Sequence, residues 1–230
     1  MPSKPRVLAT RHLPPKVEQR LQRDYDARLN PEDKLFDIDA TLAMAEGFEA
    51  LICCPTDRLN APAIERLPRS VKALATFSVG HEHIDLEAAK ARGIAVSNTP
   101  DVLTDATADV AILLMLAAAR RAHEGEKLVR EKRWGSWAPT GMLGTHMTGK
   151  RLGILGMGRI GQAVARRARA FDMTVHYSNR TRLKPEQEQG AIFHADPADL
   201  LPHCDFLSLH CPATPETNKF LNARRIALLP

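Results

Sequence analysis

Three glycines, Gly156, Gly158 and Gly161, stand in G-x-G-x-x-G spacing within Lys150-Arg-Leu-Gly-Ile-Leu-Gly-Met-Gly-Arg-Ile-Gly-Gln. The chemistry that such a series does well is phosphate binding. The first glycine permits a tight turn, the second lets a pyrophosphate approach bare backbone, and the third lets a following helix pack close to the preceding strand. The start of that helix adds N–H groups and a partial positive charge. On spacing alone the motif is weak, because glycines also serve ordinary turns. Its flanks strengthen it: an apolar strand at 152–155 enters the turn and an amphipathic helix leaves it. The sequence therefore predicts a dinucleotide site.

A second group of residues bears on which dinucleotide. The next strand ends in Val175-His-Tyr-Ser-Asn-Arg-Thr-Arg182. About 20 residues past the glycines an NAD site places Asp or Glu on the ribose 2′-hydroxyl. Here Ser178, Asn179, Arg180 and Thr181 occupy that stretch, and no acid occurs between Asp172 and Glu186. A carboxylate would repel a 2′-phosphate, whereas Arg180 or Arg182 binds it through charge-assisted hydrogen bonds. These residues predict NADP(H) as the preferred cofactor, with NAD(H) the second choice.

The elements that must position these residues alternate along the chain. Apolar runs at 7–10, 50–54, 73–78, 94–97, 152–155, 174–177 and 206–210 read as strands, with helix-length stretches such as 15–23 and 85–92 between them. That alternation predicts an α/β protein with parallel sheets. A divide near Asn98-Thr99-Pro100 predicts two domains, 1–99 and 100–230. Beyond it, Leu103, Ala106, Val110, Leu113, Leu114 and Ala117 follow a helical period and are expected to form a core stripe, with Asp101 or Thr104 as the cap.

Composition excludes several classes. A chain of 230 residues with 44% apolar and 26% charged residues is not a disordered tail, a fibre or a disulfide-stapled miniprotein. Cys53, Cys54, Cys204 and Cys211 lack framework spacing and are expected to be reduced. No apolar run suits a membrane span and the N-terminus lacks signal-peptide character, so a cytoplasmic location is expected. Residues 120–184 hold 15 basic against 4 acidic side chains. Such a segment suits nucleic acid or a phosphorylated small molecule; with the glycine motif inside it, the small molecule is favoured, and neither a nucleic acid nor a membrane partner is expected.

Beyond the glycines, several stretches resemble the D-isomer-specific 2-hydroxyacid dehydrogenase family, most closely its glyoxylate/hydroxypyruvate reductases. They are Ser78-Val-Gly-His-Glu-His-Ile-Asp85, Arg92-Gly-Ile-Ala-Val-Ser-Asn-Thr-Pro100, Val102-Leu-Thr-Asp-Ala-Thr-Ala-Asp109, the glycine turn, and Ser208-Leu-His-Cys-Pro-Ala-Thr-Pro-Glu-Thr217. The resemblance implies a flavodoxin-like substrate domain followed by a Rossmann dinucleotide-binding domain, a small 2-keto acid substrate and a homodimer. It implies that Val79 and Gly80 hold the substrate carboxylate through backbone amides. It places Thr107 on the nicotinamide side, and Met157, Gly158, Arg159 and Ile160 at the pyrophosphate. Ser178 to Thr181 match the adenosine-ribose selector, and Cys211 and Pro212 a loop over the cofactor.

Family members reduce a 2-keto acid with an Arg and a Glu-tuned His, all in segments that follow the last residues of this chain. The 230-residue sequence is therefore expected to be C-terminally truncated relative to the family, with an incomplete Rossmann domain, no catalytic residue of its own and no turnover. Other readings compete. His81-Glu-His83 could be read as a metal site, but ligands at i and i+2 need further partners and none is evident, so no metal is expected. Trp134 and Trp137 read as packing or interface residues, in a region that helps family members dimerise. A corepressor-like, dinucleotide-sensing binding module is the alternative function.

Overall fold

The computed structural model describes residues 3–230 and divides into two compact units, Met1–Val102 and Leu103–Pro230. The first runs β1 (Arg6–Ala9), α1 (Pro15–Asp24), β2 (Asp26–Arg28), α2 (Ile38–Met44), β3 (Ala50–Cys53), α3 (Ala61–Arg66), β4 (Ala73–Thr76), α4 (Leu86–Ala91), β5 (Ala95–Ser97). Its sheet is parallel in the order β2-β1-β3-β4-β5, the flavodoxin-like winding. Side chains alternate faces along a strand. Leu8, Leu51 and Leu74, in register with one another, enter one apolar cluster, while Val7, Ala9, Ala50 and Ile52 enter another. Burial on both faces is what makes these strands continuous apolar runs.

The second unit runs α5 (Thr104–Ala119), α6 (Ala122–Arg130), β6 (Arg151–Leu155), α7 (Arg159–Arg169), β7 (Thr174–Ser178), α8 (Pro185–Glu188), β8 (Ile192–Phe193), α9 (Pro197–Leu200), a single 3-10 turn at Leu201–His203, β9 (Phe206–Leu209) and α10 (Ala223–Ile226). Its four described strands are parallel in the order β8-β7-β6-β9. Counted from β6 this is 3-2-1-4, the opening of the dinucleotide-binding winding. Two of the nine described strands, β2 and β8, escaped the apolar pattern because β2 is polar at both ends and β8 is only two residues long; they are placed by backbone pairing to β1 and β7.

The core stripe expected along α5 is wrong. The buried residues are Ala108, Ile112, Met115 and Ala119, whereas Val110, Leu113 and Leu114 are 51%, 61% and 63% exposed and Ala106 is also exposed. The helix is apolar on nearly every face, so periodicity could not choose between them. The chosen face carries alanines that let α5 lie close to the small residues Ala163 and Ala168 of α7. Arg167 donates to both Asp105 and Asp109 and fixes the rotation of the helix. The N-cap position also differs from expectation: it is Leu103, neither Asp101 nor Thr104, and Leu103 makes no side-chain cap bond.

At the opposite end of the sheet Asp205 joins β6 to β9. Its carboxylate accepts from the Arg151 backbone N–H at 2.8 Å and from the guanidinium at 2.9 and 3.1 Å. These bonds hold its pKa down at about 2, against an ordinary 3.8. A depressed carboxylate stabilises the fold above its unfolded value and loses that contribution as pH falls through the folded one. Denaturant titrations at descending pH should therefore show wild type losing stability between pH 3.8 and about 2. Asp205→Asn should be less stable at neutral pH and lose less over that interval; an equal loss in both would refute the assignment.

Candidate functional site

The glycine turn forms where β6 hands over to α7. Gly156 has φ +92°, and its N–H donates to the Ser178 carbonyl at 3.0 Å, tying the turn to the end of β7. A Cβ there would lie 2.5 Å from the Cys211 backbone nitrogen and 2.7 Å from its Cα. The chain leaving β9 thus passes directly against the turn, which brings Cys211 beside the glycines although 55 positions separate it from Gly156. A Cβ on Gly161 would meet the Gly156 carbonyl oxygen at 2.5 Å, so the third glycine is needed for helix–turn contact. Gly158 differs: a Cβ there would have no heavy atom within 4 Å. As N-cap residue of α7 it also offers no side-chain oxygen to the first turn. Bare backbone facing open space at a helix start is the cradle that a pyrophosphate fills.

Asn179 has a role that its sequence position does not reveal. Its Oδ1 accepts the Met157 N–H at 2.7 Å, so this residue braces the turn from the β7 side. Gln162 Nε2 closes the other flank on the Met157 carbonyl. Ser178 is buried, whereas Arg180 and Thr181 are exposed. The fold separates the two candidate arginines. Arg182 donates to Glu188 at 2.8 and 3.2 Å, and Tyr177 donates to the same carboxylate at 2.6 Å, so Arg182 is committed to the protein. Arg180 instead acts on Glu216, whose carboxyl is held below its usual range first by Thr214 and further by the Arg180 charge.

Thr107 lies half-buried near the start of α5, and its helix shares a core with Met157 and Ile160. His176, His194 and His203 gather with ring centroids 5.1 to 5.3 Å apart, a cluster that their spacing does not announce. Burial, then the neighbouring imidazoles, keeps His176 and His194 below the ordinary imidazole range. Among the described residues no group of three His, Cys, Asp or Glu is placed to hold a metal ion.

In the first unit, Ser78, Val79 and Gly80 leave the C-terminal end of β4 as a half-buried loop. The Ser78 carbonyl accepts the Thr99 N–H at 2.9 Å, and the Val79 carbonyl accepts Asn98 Nδ2–H at 2.8 Å. The Gly80 carbonyl accepts the Ser78 hydroxyl at 2.6 Å.

A family model described as the NAD binding domain of D-isomer specific 2-hydroxyacid dehydrogenases matches residues 112–230. Glycerate dehydrogenase of Hyphomicrobium methylovorum is 40% identical over 99% of this chain and 71% of its own length. This chain belongs to the D-isomer-specific 2-hydroxyacid dehydrogenase family. Glyoxylate reductase of Thermococcus litoralis is 39% identical over 98% of this chain and 69% of its own. A crystal structure of a glyoxylate reductase from Paecilomyes thermophila superposes with TM-score 0.83 at 33% identity, covering 100% of this chain and 71% of that one. A Polaromonas protein assigned to the same dehydrogenases gives TM-score 0.91 at 43% identity, covering 100% and 72%. This 2-hydroxyacid dehydrogenase chain thus spans about 70% of the length of its relatives.

The family is one of oxidoreductases that work with a nicotinamide dinucleotide. The residues present fit that cofactor, since the open backbone at Gly158 and the start of α7 provide the cradle. Among the described residues no helix is long and apolar enough to cross a membrane.

Proposed function

We propose that this chain is the substrate-loop and cofactor part of an NADP(H)-dependent dehydrogenase that interconverts a small 2-keto acid and its 2-hydroxy acid. Glyoxylate and hydroxypyruvate are the expected keto acids. Residues 1–99 serve as the substrate-binding domain and 100–230 as the dinucleotide-binding domain. The observation that carries this reading is the Gly158 cradle beside an Arg180 selector with no acid in the selector stretch itself.

The roles proposed for individual residues rest on their match to the family's motifs. Backbone amides of Val79 and Gly80 hold the substrate carboxylate. Gly156, Met157, Gly158, Arg159, Ile160 and Gly161 form the pyrophosphate turn. Ser178 and Asn179 shape the ribose pocket, where Arg180 and Thr181 take the 2′-phosphate. Cys211 and Pro212 cover the cofactor, and Thr107 stands on the nicotinamide side. The cofactor supplies the hydride; the chain binds, orients and selects. Trp134, Trp137, Leu113 and Leu114 are exposed, and a homodimer is the partner that would cover them.

No residue of this chain matches the catalytic Arg, Glu and His of the family. Residues 1–230 should therefore bind NADPH yet leave it unoxidised in the presence of glyoxylate or hydroxypyruvate, read as absorbance of the reduced nicotinamide. Sustained glyoxylate-dependent oxidation would overturn the assignment of binding without turnover.

A further inference from the structure

A chain of hydrogen bonds reaches the carboxylate loop from a residue with no part in the sequence reading beyond a rejected metal site. His83 Nε2 lies 3.0 Å from Thr76 Oγ1, which lies 2.7 Å from Ser78 Oγ, which lies 2.6 Å from the Gly80 carbonyl oxygen. The direction of this chain is fixed by counting protons. A carbonyl only accepts, so Ser78 spends its single hydroxyl proton on Gly80. Ser78 Oγ must then accept from Thr76, which spends the Thr76 proton. Thr76 Oγ1 in turn must accept from His83, so the imidazole carries its proton on Nε2.

The end of this chain fixes one of the loop's three peptide planes. In a trans peptide the N–H points opposite the C=O of the same plane, and no described peptide is cis. Pinning the carbonyls of Ser78, Val79 and Gly80 therefore aims the N–H groups of Val79, Gly80 and His81. Thr99 and Asn98 pin the first two planes, and the third depends on Ser78. The His83 backbone is itself fixed, because its carbonyl accepts the Leu59 N–H at 2.8 Å. Its ring lines a cleft of about 620 Å³ with Pro55, Arg58, Asn60 and Glu82.

We propose that His83 is a positioning residue for substrate binding: through Thr76 and Ser78 it holds the Gly80 carbonyl and so closes the Ser78–Gly80 turn that carries the Val79 and Gly80 amides, which Thr99 and Asn98 aim. The proposal rests on the reading of Val79 and Gly80 as the carboxylate-binding amides. Losing one net hydrogen bond that holds the loop in its binding geometry weakens a ligand by at most about tenfold.

The test uses the 230-residue chain, labelled with nitrogen isotope and titrated with glyoxylate while the Val79 and Gly80 amide signals are followed. Burial lowers the His83 pKa, so a mildly alkaline buffer keeps the ring neutral. Expected are an Nε2–H tautomer in the imidazole nitrogen shifts and up to about tenfold weaker binding in both His83→Leu and Thr76→Val. The double variant should be no weaker than either single by more than about twofold, because both remove one relay. His83→Gln, whose Nε2 keeps a donor, should restore binding to within about threefold. A wild-type Nδ1–H tautomer overturns the proposal even if a variant fails to fold. Wild-type affinity in His83→Leu overturns the relay alone. Wild-type chain whose loop amides do not respond to glyoxylate overturns the reading of the loop itself.

Discussion

Alanine at Gly156 is expected to destabilise the chain strongly, whereas alanine at Gly158 leaves stability unchanged and abolishes cofactor binding. The two positions lie two residues apart, but the surroundings of their α-carbons differ in kind. At Gly156 a methyl group would press on the backbone of His210 and Cys211 at 2.5 to 2.7 Å, and φ of +92° is hostile to any L side chain. Backbone cannot swing aside as a side-chain tip can, so the change should cost about 3 kcal/mol or more. For a chain of this size that lowers Tm by roughly 6–12 °C. At Gly158 nothing lies within 4 Å and φ is an ordinary −78°. Alanine there should shift stability by no more than about 0.5 kcal/mol. It would, however, occupy the space left for a pyrophosphate, and NADPH affinity should fall about a hundredfold or more. Thermal melts and fluorescence titrations of both variants check this. Gly158→Ala with normal NADPH affinity would show that the cradle serves only the turn.

The second large effect concerns the 2′-phosphate. A unit-charge contact at about 4 Å is worth about 1 kcal/mol in water and about 4 kcal/mol at an effective dielectric of 20. Arg180→Ala should accordingly weaken NADPH by tens- to hundreds-fold while leaving NADH nearly unchanged. Arg182→Ala separates the two arginines. Its guanidinium is held by Glu188, whose side chain is only 9% exposed, so removing it strands a buried carboxylate. That variant should lose stability and keep the NADPH-to-NADH ratio within about threefold. A ratio that collapses in Arg182→Ala and survives in Arg180→Ala would reverse the assignment.

The sequence disclosed what is local and left unread what the fold assembles. The β6–turn–α7 segment was legible because its apolar run, its glycines and its helix are contiguous, and each residue type carries its own backbone reason. The rotation of α5 was not legible, since a helix apolar on most faces offers no preferred stripe; the Arg167 pairs with Asp105 and Asp109 decide it from about 60 residues away. Within the selector, the missing acid was visible, but the partners were not. Asn179 reads in sequence only as a ribose-pocket residue, and its bond to the Met157 amide appears only in the fold. Arg182 reads as equivalent to Arg180 until Glu188 is found against it. The same holds for His83, which in sequence stands in a His-Glu-His pattern and in the fold starts a hydrogen-bond chain that ends on the Gly80 carbonyl.

Direct titration of the 230-residue chain with NADPH and with NADH, followed by nicotinamide fluorescence, tests the central claim most directly. The expected result is saturable binding of both, with NADPH tighter by tens-fold or more and with that binding lost in Gly158→Ala. Equal or tighter binding of NADH, or no binding of either dinucleotide by the folded chain, would contradict it.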